Sequence, residues 1–198
     1  NVVIANYIGQ NDTKRIPRVV HTAVSLALLS GVFLLILGQF MAHPILLLMG
    51  APKDIIHLAT LYLRIYFLGM PALALYNFGN AVCSAFGDTK KPLYYLSAAG
   101  VVNVVLNLFF VIVLHMNVNG VAIATVISNA VSAVILFIKL MKSEKYIRLE
   151  PKKLRIDLPT LGKILRIGLP AGVQSAVFSV SNIVIQSAIN SLGKVVMA

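Results

Sequence analysis

Amide and hydroxyl side chains recur at helical spacing within long apolar stretches of this chain, and they are its strongest candidates for chemistry. Near the carboxyl end, five of them follow one another at intervals of four, three, four and four: Ser175, Ser179, Asn182, Gln186 and Asn190. That spacing predicts one polar face on a helix. Similar faces occur in three other stretches, namely Asn77, Asn80 and Ser84, then Gly100, Asn103 and Asn107, then Ala122, Thr125, Asn129 and Ser132. Because apolar surroundings offer no hydrogen-bond partner, each face must meet other protein or a water-filled cavity.

Two explanations compete for these polar faces. Small residues let helices approach closely and hydroxyl groups bridge them, so helix packing alone accounts for any single Ser or Thr. The larger amides fit a dry interface poorly, and converging amides line a cavity or coordinate a cation through their carbonyl oxygens. We therefore predict a cavity lined by these residues: Asn77, Asn80, Asn103, Asn107, Asn129, Ser175, Ser179, Asn182 and Gln186.

The groups that catalysis needs are missing from the apolar stretches of the sequence. All six acidic residues fall in connectors or at the ends of the stretches, so the apolar stretches themselves contain no carboxylate that could carry a proton. The four histidines lack metal-ligand spacing, and a lone Cys83 forms neither an intrachain disulfide nor a cysteine zinc cluster. A nucleophile elbow and a phosphate-binding glycine loop are also missing. The sequence predicts no catalytic residue, metal site or cofactor, and it argues against an enzyme.

Five apolar stretches, each long enough to cross a bilayer, must position these polar faces. They cover about 19–41, 55–85, 93–115, 120–140 and 169–192. Hydrophobic residues make up 59% of the 198 residues, charged residues make up 12%, and the mean hydropathy is +0.89. Such a composition leaves too little polar surface to cover a soluble globule. The predicted fold class is an all-α, polytopic membrane helix bundle.

The charges of the connectors predict how this bundle is oriented. Connectors at 11–18, 86–92 and 142–166 are basic, whereas those at 42–54 and 116–119 carry one Lys between them. Basic connectors face the cytoplasm. An anionic membrane leaflet, rather than nucleic acid, is then the expected partner of the net charge of +11. The predicted location is the cytoplasmic membrane of a prokaryote.

Helix-breaking residues modify the first two spans. His43, Pro44, Gly50 and Pro52 predict that the first span ends near Met41 and that residues 44–49 lie along the membrane surface. The second span has about 30 residues, which is too long for a straight crossing. A kink at Gly69 and Pro71 is therefore expected, and Arg64 then reaches the outer interface by snorkelling.

The remaining segments suggest a larger protein. Residues 159–168 form an amphipathic segment that predicts a separate helix at the level of the lipid headgroups. Asn1 is not an initiator methionine, and the last residues follow an apolar run directly. We expect the chain to be an interior piece of a longer protein.

Several segments, taken in order, resemble the multidrug and toxic compound extrusion (MATE) transporters. They are Ala85 to Pro92 (AFGDTKKP), Tyr62 to Ile65 with Gly69 and Pro71 after it, Asn103 with Asn107, Gly120 to Thr125, and Gly168 to Ala171. The resemblance covers essentially the whole chain. It implies the end of helix two through helix seven of a twelve-helix protein built as two six-helix lobes.

The resemblance also implies a cation site in the amino-terminal lobe. In the family that site uses an acid on helix one, polar groups four residues apart on helix five, and a Thr on helix six. By resemblance, Asn103, Asn107 and Thr125 occupy the last three places. Some members have Asp where this chain has Asn107, which weakens a purely proton-driven assignment and leaves both Na⁺ and H⁺ open as the coupling ion.

The resemblance divides the chain into three parts and suggests its activity. Residues 1–141 would belong to the amino-terminal lobe, 142–168 to a basic cytoplasmic connector with an amphipathic helix, and 169–198 to the first helix of the carboxy-terminal lobe. The expected function is secondary active efflux of cationic or amphipathic small molecules by a monomer, through cation antiport with alternating access. A lipid-linked oligosaccharide flippase of related fold is the alternative, and a membrane enzyme using Asp88, Lys90 and Lys91 as a phosphate site is a weaker one.

Overall fold

The structure, a computed structural model, describes residues 2–48, 53–143, 148–151 and 154–191. Within these ranges the chain is helical and contains no β-strand. The helices are α1 (Val2–Gly9), α2 (Ile16–Leu48), α3 (Lys53–Leu68), α4 (Met70–Ala85), α5 (Lys90–Leu108), α6 (Asn117–Met141) and α7 (Leu158–Ser191), and a π-helical segment (Phe109–Val113) follows α5. The described residues form two compact units, one up to Asp157 and one from Leu158.

Length and composition identify the helices that can cross a membrane. Among the described residues, α2, α5 with the π-helical segment, α6 and residues Leu158–Asn182 of α7 are each long and apolar enough. The pair α3 and α4 counts as a fifth span if its two bent halves cross together. The number of spans therefore agrees with the five stretches predicted from the sequence, and the all-α class is confirmed, although α2 and α7 extend beyond the predicted bounds.

Small residues bring the helices of the first unit close together. In this unit α2 packs against α3 and α4, while α6 packs against α3, α4 and α5. At Gly31 of α2, a Cβ atom would lie 2.5 Å from the Cα atom of Pro71 on α4, so only glycine permits this approach. α4 packs against both α2 and α6, and the core on these three helices includes Val24, Val82 and Leu136, each at most 1% exposed.

The predicted kink in the second span is confirmed. The axes of α3 and α4 differ by 45° across Gly69, and Pro71 stands in the first turn of α4. Proline lacks the N–H that would continue the hydrogen-bond ladder of α3, and its ring disfavours helical geometry in the preceding residue. The long apolar stretch is thus accommodated as two 16-residue helices.

The predicted end of the first span near Met41 is wrong. α2 continues through Pro44 to Leu48, so residues 44–48 form its last turns rather than a separate surface segment, and the remaining residues, 49–52, lie outside the described ranges. A proline inside a helix removes one backbone hydrogen bond, and membrane helices tolerate that loss because neighbouring groups satisfy the freed carbonyl. Here Gln39 and His43 also tie the end of α2 to α3, through the Arg64 carbonyl and the Thr60 hydroxyl.

The amphipathic segment predicted at 159–168 does not form a helix of its own. It is the first part of α7, which runs without a break from Leu158 to Ser191 and includes Pro170. A proline inside a helix removes only one backbone hydrogen bond. The Gly168-Leu169-Pro170 sequence therefore does not separate the two parts. The lobe boundary placed at residues 168 and 169 stays a prediction.

The connector that precedes α7 is held against the amino end of α2. The Thr22 hydroxyl, fully buried, accepts a hydrogen bond from the Asp157 N–H at 3.1 Å and donates one to the Arg155 carbonyl at 3.5 Å. The neighbouring His21 ring accepts a bond from the Glu150 N–H through Nε2 at 3.2 Å. Its Nδ1 therefore carries the proton and donates to the Pro17 carbonyl at 2.6 Å. We call residues 148–151 and 154–157 the described connector.

Candidate functional site

Two neighbouring helices bring the polar residues of the first unit together. α5 carries Asn103 and Asn107 one turn apart, and α6 carries Thr125 and Ser128 on the face that packs against it. Helical spacing places each pair on one side of its own helix. We call these four residues the amide cluster.

Hydrogen bonds run through the amide cluster in one direction. Asn107 donates from Nδ2 to Asn103 Oδ1 at 3.0 Å. Asn103 in turn donates from Nδ2 to Thr125 Oγ1 at 3.4 Å and to Ser128 Oγ at 3.2 Å. Both hydroxyl groups donate to α6 carbonyls, Thr125 to that of Val121 and Ser128 to that of Thr125, each at 2.9 Å. The hydroxyl protons are thus engaged by the backbone, and the hydroxyl oxygens act as acceptors.

One oxygen at the start of this chain of bonds has no partner among the described residues. Asn107 Oδ1 is buried and accepts no hydrogen bond from them, and the same holds for Asn119 Oδ1 near the beginning of α6. A buried carbonyl oxygen without a donor costs about 1–3 kcal/mol of folding free energy. Such groups are rare in native proteins and indicate a strained or functional position. The Asn107 oxygen is therefore a candidate ligand for a cation or for a bound donor.

The amide cluster supplies neutral oxygens only. It contains no ionisable side chain, so a cation would be held by amide and hydroxyl dipoles, while a full negative charge would have to come from another part of the protein. For the same reason the cluster itself does not bind a proton at neutral pH. Elsewhere in the described residues, His, Cys, Asp and Glu form no group of three or more that could hold a metal ion.

A π-helical segment begins two residues after Asn107. It covers Phe109–Val113, and the Leu114 N–H bonds to the Phe109 carbonyl, the spacing of a π-helix. Gly120 of α6 packs against this segment so closely that a Cβ atom would lie 2.8 Å from that of Phe110. Such segments are inserted turns that occur frequently at functional sites. The sequence did not predict it.

Ion pairs join the beginning of α5 to the end of α6, which are the predicted cytoplasmic ends of these two helices. Asp88, in the turn between α4 and α5, lies 3.1 Å from Lys139 Nζ of α6 and 3.3 Å from Lys91 Nζ. Partial burial raises the pKa of the Asp88 carboxyl, but the hydrogen bonds and charges of the two lysines outweigh burial, and its pKa lies below the ordinary value. Because Asp88 engages Lys91, the weaker proposal of a phosphate site made by this turn loses one of its cations.

The other predicted cavity residues are distributed over several helices. On α4, Asn77 is exposed, while Asn80 is half-buried and accepts a bond from Ser84 at 3.4 Å. Asn129 of α6 is half-buried. Ser175, Ser179 and Asn182 are exposed on α7, and the side chain of Gln186 lies outside the described residues. A common cavity for these residues stays a prediction.

Two residues of interest were not predicted from the sequence. Ser128 follows Thr125 by three positions, and this spacing places it beside Asn103, whereas the prediction chose Asn129 from the four-residue spacing. Asn119 was assigned to a connector, but the structure places it in the first turn of α6, where its oxygen is buried. Testing spacings of three as well as four would have found Ser128.

Comparison with known proteins identifies the family. The family model MatE matches residues 1–109. The probable multidrug resistance protein YoeA of Bacillus subtilis is 31% identical over 202 residues, which cover 98% of this chain and 43% of YoeA. An outward-facing structure of a multidrug resistance MATE family transporter superposes with a TM-score of 0.85 at 26% identity, covering 94% of this chain and 42% of that one. The inward-facing structure gives a TM-score of 0.77 at 27% identity, covering 84% and 38%.

These matches place the chain within a larger architecture. The chain spans about two fifths of the length of the curated relatives it matches. MATE transporters have twelve helices in two lobes, so the fold predicted from the resemblance is confirmed. The MatE family model matches more than half of the residues of this chain, and the chain therefore belongs to the MatE family.

Proposed function

We propose that the full-length protein exports cationic or amphipathic small molecules in exchange for Na⁺ or H⁺. Its relative YoeA carries the name of a probable multidrug resistance protein, and the MATE transporter to which the fold is similar is known in both outward-facing and inward-facing conformations. Alternating access between two such conformations is the mechanism that we propose. The bacterial relative and the apolar helices support a multi-pass protein of a prokaryotic cell membrane, acting as a monomer on small-molecule substrates.

The buried, unpartnered oxygen of Asn107 is the observation that carries this proposal. An exchanger needs a site whose occupation by a cation changes its local structure. When a cation binds Asn107 Oδ1, it replaces the missing donor and removes the penalty of the unsatisfied oxygen. Asn103 Oδ1 lies one hydrogen bond further along the cluster and Thr125 Oγ1 two, and they supply the next neutral oxygens. Asn103, Asn107 and Thr125 are the cation-binding residues that we propose, with Ser128 holding Asn103 in place.

The neutral character of the amide cluster bears on the choice of coupling ion. With neutral ligands alone, the cluster favours a monovalent metal cation over a proton, because no group in it titrates near neutral pH. Proton coupling would require a carboxylate outside the described residues. We propose Na⁺ as the ion for this cluster, and proton exchange as the outcome if such a carboxylate dominates.

Substrate would occupy a cavity lined by amide and hydroxyl side chains. We propose that Asn77, Asn80, Asn129, Ser175, Ser179, Asn182 and Gln186 line it. Amide and hydroxyl groups hydrogen-bond to many amphipathic cations without demanding one geometry, which suits a broad substrate range. A lipid-linked oligosaccharide flippase needs a strongly cationic cavity instead. The five apolar stretches of the sequence contain two cationic side chains, Arg64 and Lys139, and Lys139 pairs with Asp88, so this alternative is disfavoured.

Ethidium accumulation in an efflux-deficient host tests the proposal. Cells that express the full-length protein should accumulate less ethidium than empty-vector cells, and removal of the sodium gradient should abolish the difference. Asn107→Leu should raise accumulation to the empty-vector level, because leucine offers no oxygen to a cation, while the protein remains inserted. Asn6→Leu, the same change at an exposed position of α1, is the matched control and should retain export.

The possible outcomes separate the steps of the argument. Export that persists without sodium but stops with a proton ionophore would assign coupling to H⁺. Export that survives Asn107→Leu would show that this amide serves only packing. Unchanged ethidium accumulation under all conditions, repeated with other cationic dyes, would refute broad drug export.

A further inference from the structure

A cavity of about 420 Å³ opens where the described connector crosses the amino end of α2. It is lined by Pro17, Arg18 and His21 of α2 and by Arg155, Ile156 and Asp157 of the connector. None of these residues belongs to the amide cluster or to the proposed substrate cavity. The cavity is therefore a separate site within the first unit, and we call it the basic cavity.

Two guanidinium groups of the basic cavity have no partner among the described residues. Arg18 and Arg155 are both exposed, and neither side chain forms a hydrogen bond or salt bridge there. Asp157 lines the same cavity and brings one negative charge, while the hydrogen bonds of His21 fix its ring in the neutral Nδ1–H form. Two arginines and one aspartate give the lining of the basic cavity a formal charge of +1, which one negative charge would balance.

The basic cavity is organised before any ligand binds. Thr22 and His21 hold the connector backbone at Arg155, Asp157 and Glu150, so both walls of the cavity are fixed relative to each other. A preformed site loses little ordering entropy when its ligand arrives. The amino end of α2 also adds the positive potential of a helix terminus. These features favour a small anion with oxygen acceptors.

We propose that the basic cavity binds the phosphate of an anionic phospholipid headgroup. A guanidinium fork matches phosphate oxygens in pairs, and the single negative charge of a phosphodiester balances the formal charge of +1. Pro17 and Ile156 add apolar surface for the glycerol and acyl carbons, which free phosphate does not need. The basic connectors place this end of α2 at the cytoplasmic leaflet, where anionic lipids lie. The proposal depends on this orientation and not on the transport cycle.

Lipid retention by the purified full-length protein tests this site. The protein in detergent is titrated with phosphatidylglycerol or phosphatidylcholine, and bound lipid is measured by native mass spectrometry. The wild type should retain phosphatidylglycerol preferentially. Arg18→Gln with Arg155→Gln should weaken its retention by roughly 30-fold, from the loss of two surface charge contacts. Lys142→Gln with Arg148→Gln removes the same charge from exposed residues near the connector but outside the cavity, and should change retention by less than about threefold.

Competition with inorganic phosphate distinguishes the two sources of the anion. Displacement of phosphatidylglycerol only at large excess of phosphate supports the lipid headgroup as ligand. Equal potency of free phosphate supports an anion site of the same chemistry but overturns the lipid as its ligand. Equal losses in both double variants, or no preference between the two lipids, overturn the site, because general surface charge would then suffice. Arg155→Gln alone, on the exposed connector, keeps the test valid if the double variant fails to fold.

Discussion

The bond pair at Thr22 predicts how firmly the described connector is held. Thr22→Val replaces the hydroxyl by a methyl group of nearly the same size, so it removes the 3.1 Å bond from the Asp157 N–H and the 3.5 Å bond to the Arg155 carbonyl without opening a cavity. One well-formed bond contributes about 1 kcal/mol and the longer one less, so the connector should lose about 1–2 kcal/mol of local stability. This corresponds to an increase in amide exchange of about 5-fold to 30-fold.

Hydrogen exchange followed by mass spectrometry measures this effect directly. Peptides that contain residues 154–157 of the full-length protein in nanodiscs should exchange faster in the variant by the factor given above. Thr89→Val is the matched control, since Thr89 is exposed in the α4–α5 turn and makes no capping bond there. Unchanged exchange at 154–157 in Thr22→Val, or an equal rise in Thr89→Val, would refute the role assigned to the hydroxyl.

Two further predictions concern the stability of the first unit. The pKa of Asp88 is lower in the folded than in the unfolded protein, so its ion pairs stabilise the fold above about pH 4 and the effect is lost as pH falls through the lowered value. Asp88→Asn should therefore lower the unfolding temperature at pH 7, and the difference should shrink as the pH falls below about 4; a difference that does not change with pH would contradict the ion pair with Lys139. Gly31→Ala should destabilise the protein by about 1–3 kcal/mol in thermal unfolding, because its Cβ meets the Pro71 backbone. Gly9→Ala should not destabilise the protein, because no atom lies within 4 Å of a Cβ atom at that position. Equal effects of the two substitutions would argue against close packing of α2 on α4.

Much of the fold follows from local sequence signals. Apolar length alone predicts the spans, because a helix must satisfy all its backbone groups internally to cross hydrocarbon. The bend at Gly69 was predictable because glycine and proline together weaken the helix at one point. Pro44 and Pro170 show the limit of that rule: both lie inside continuous helices. A proline therefore does not by itself predict a helix end in this chain.

The site was predictable in part, for similar reasons. Spacing and resemblance selected Asn103, Asn107 and Thr125, and the structure joins them by hydrogen bonds. The direction of those bonds, which leaves the Asn107 oxygen without a donor, depends on how α5 packs against α6 and cannot be read from one helix. The hydrogen bonds between Thr22 and the connector join residues more than 130 positions apart, so no local sequence pattern predicts them.

Keeping Asn107 has a thermodynamic consequence for the whole protein. Native proteins are only marginally stable, and a carbonyl left without a donor removes about 1–3 kcal/mol from that small margin. A leucine at this position would avoid that cost, but it would also remove the hydrogen bond that Asn107 donates to Asn103 Oδ1. The first unit therefore bears a local cost in stability at the amide oxygen that we propose as a cation ligand.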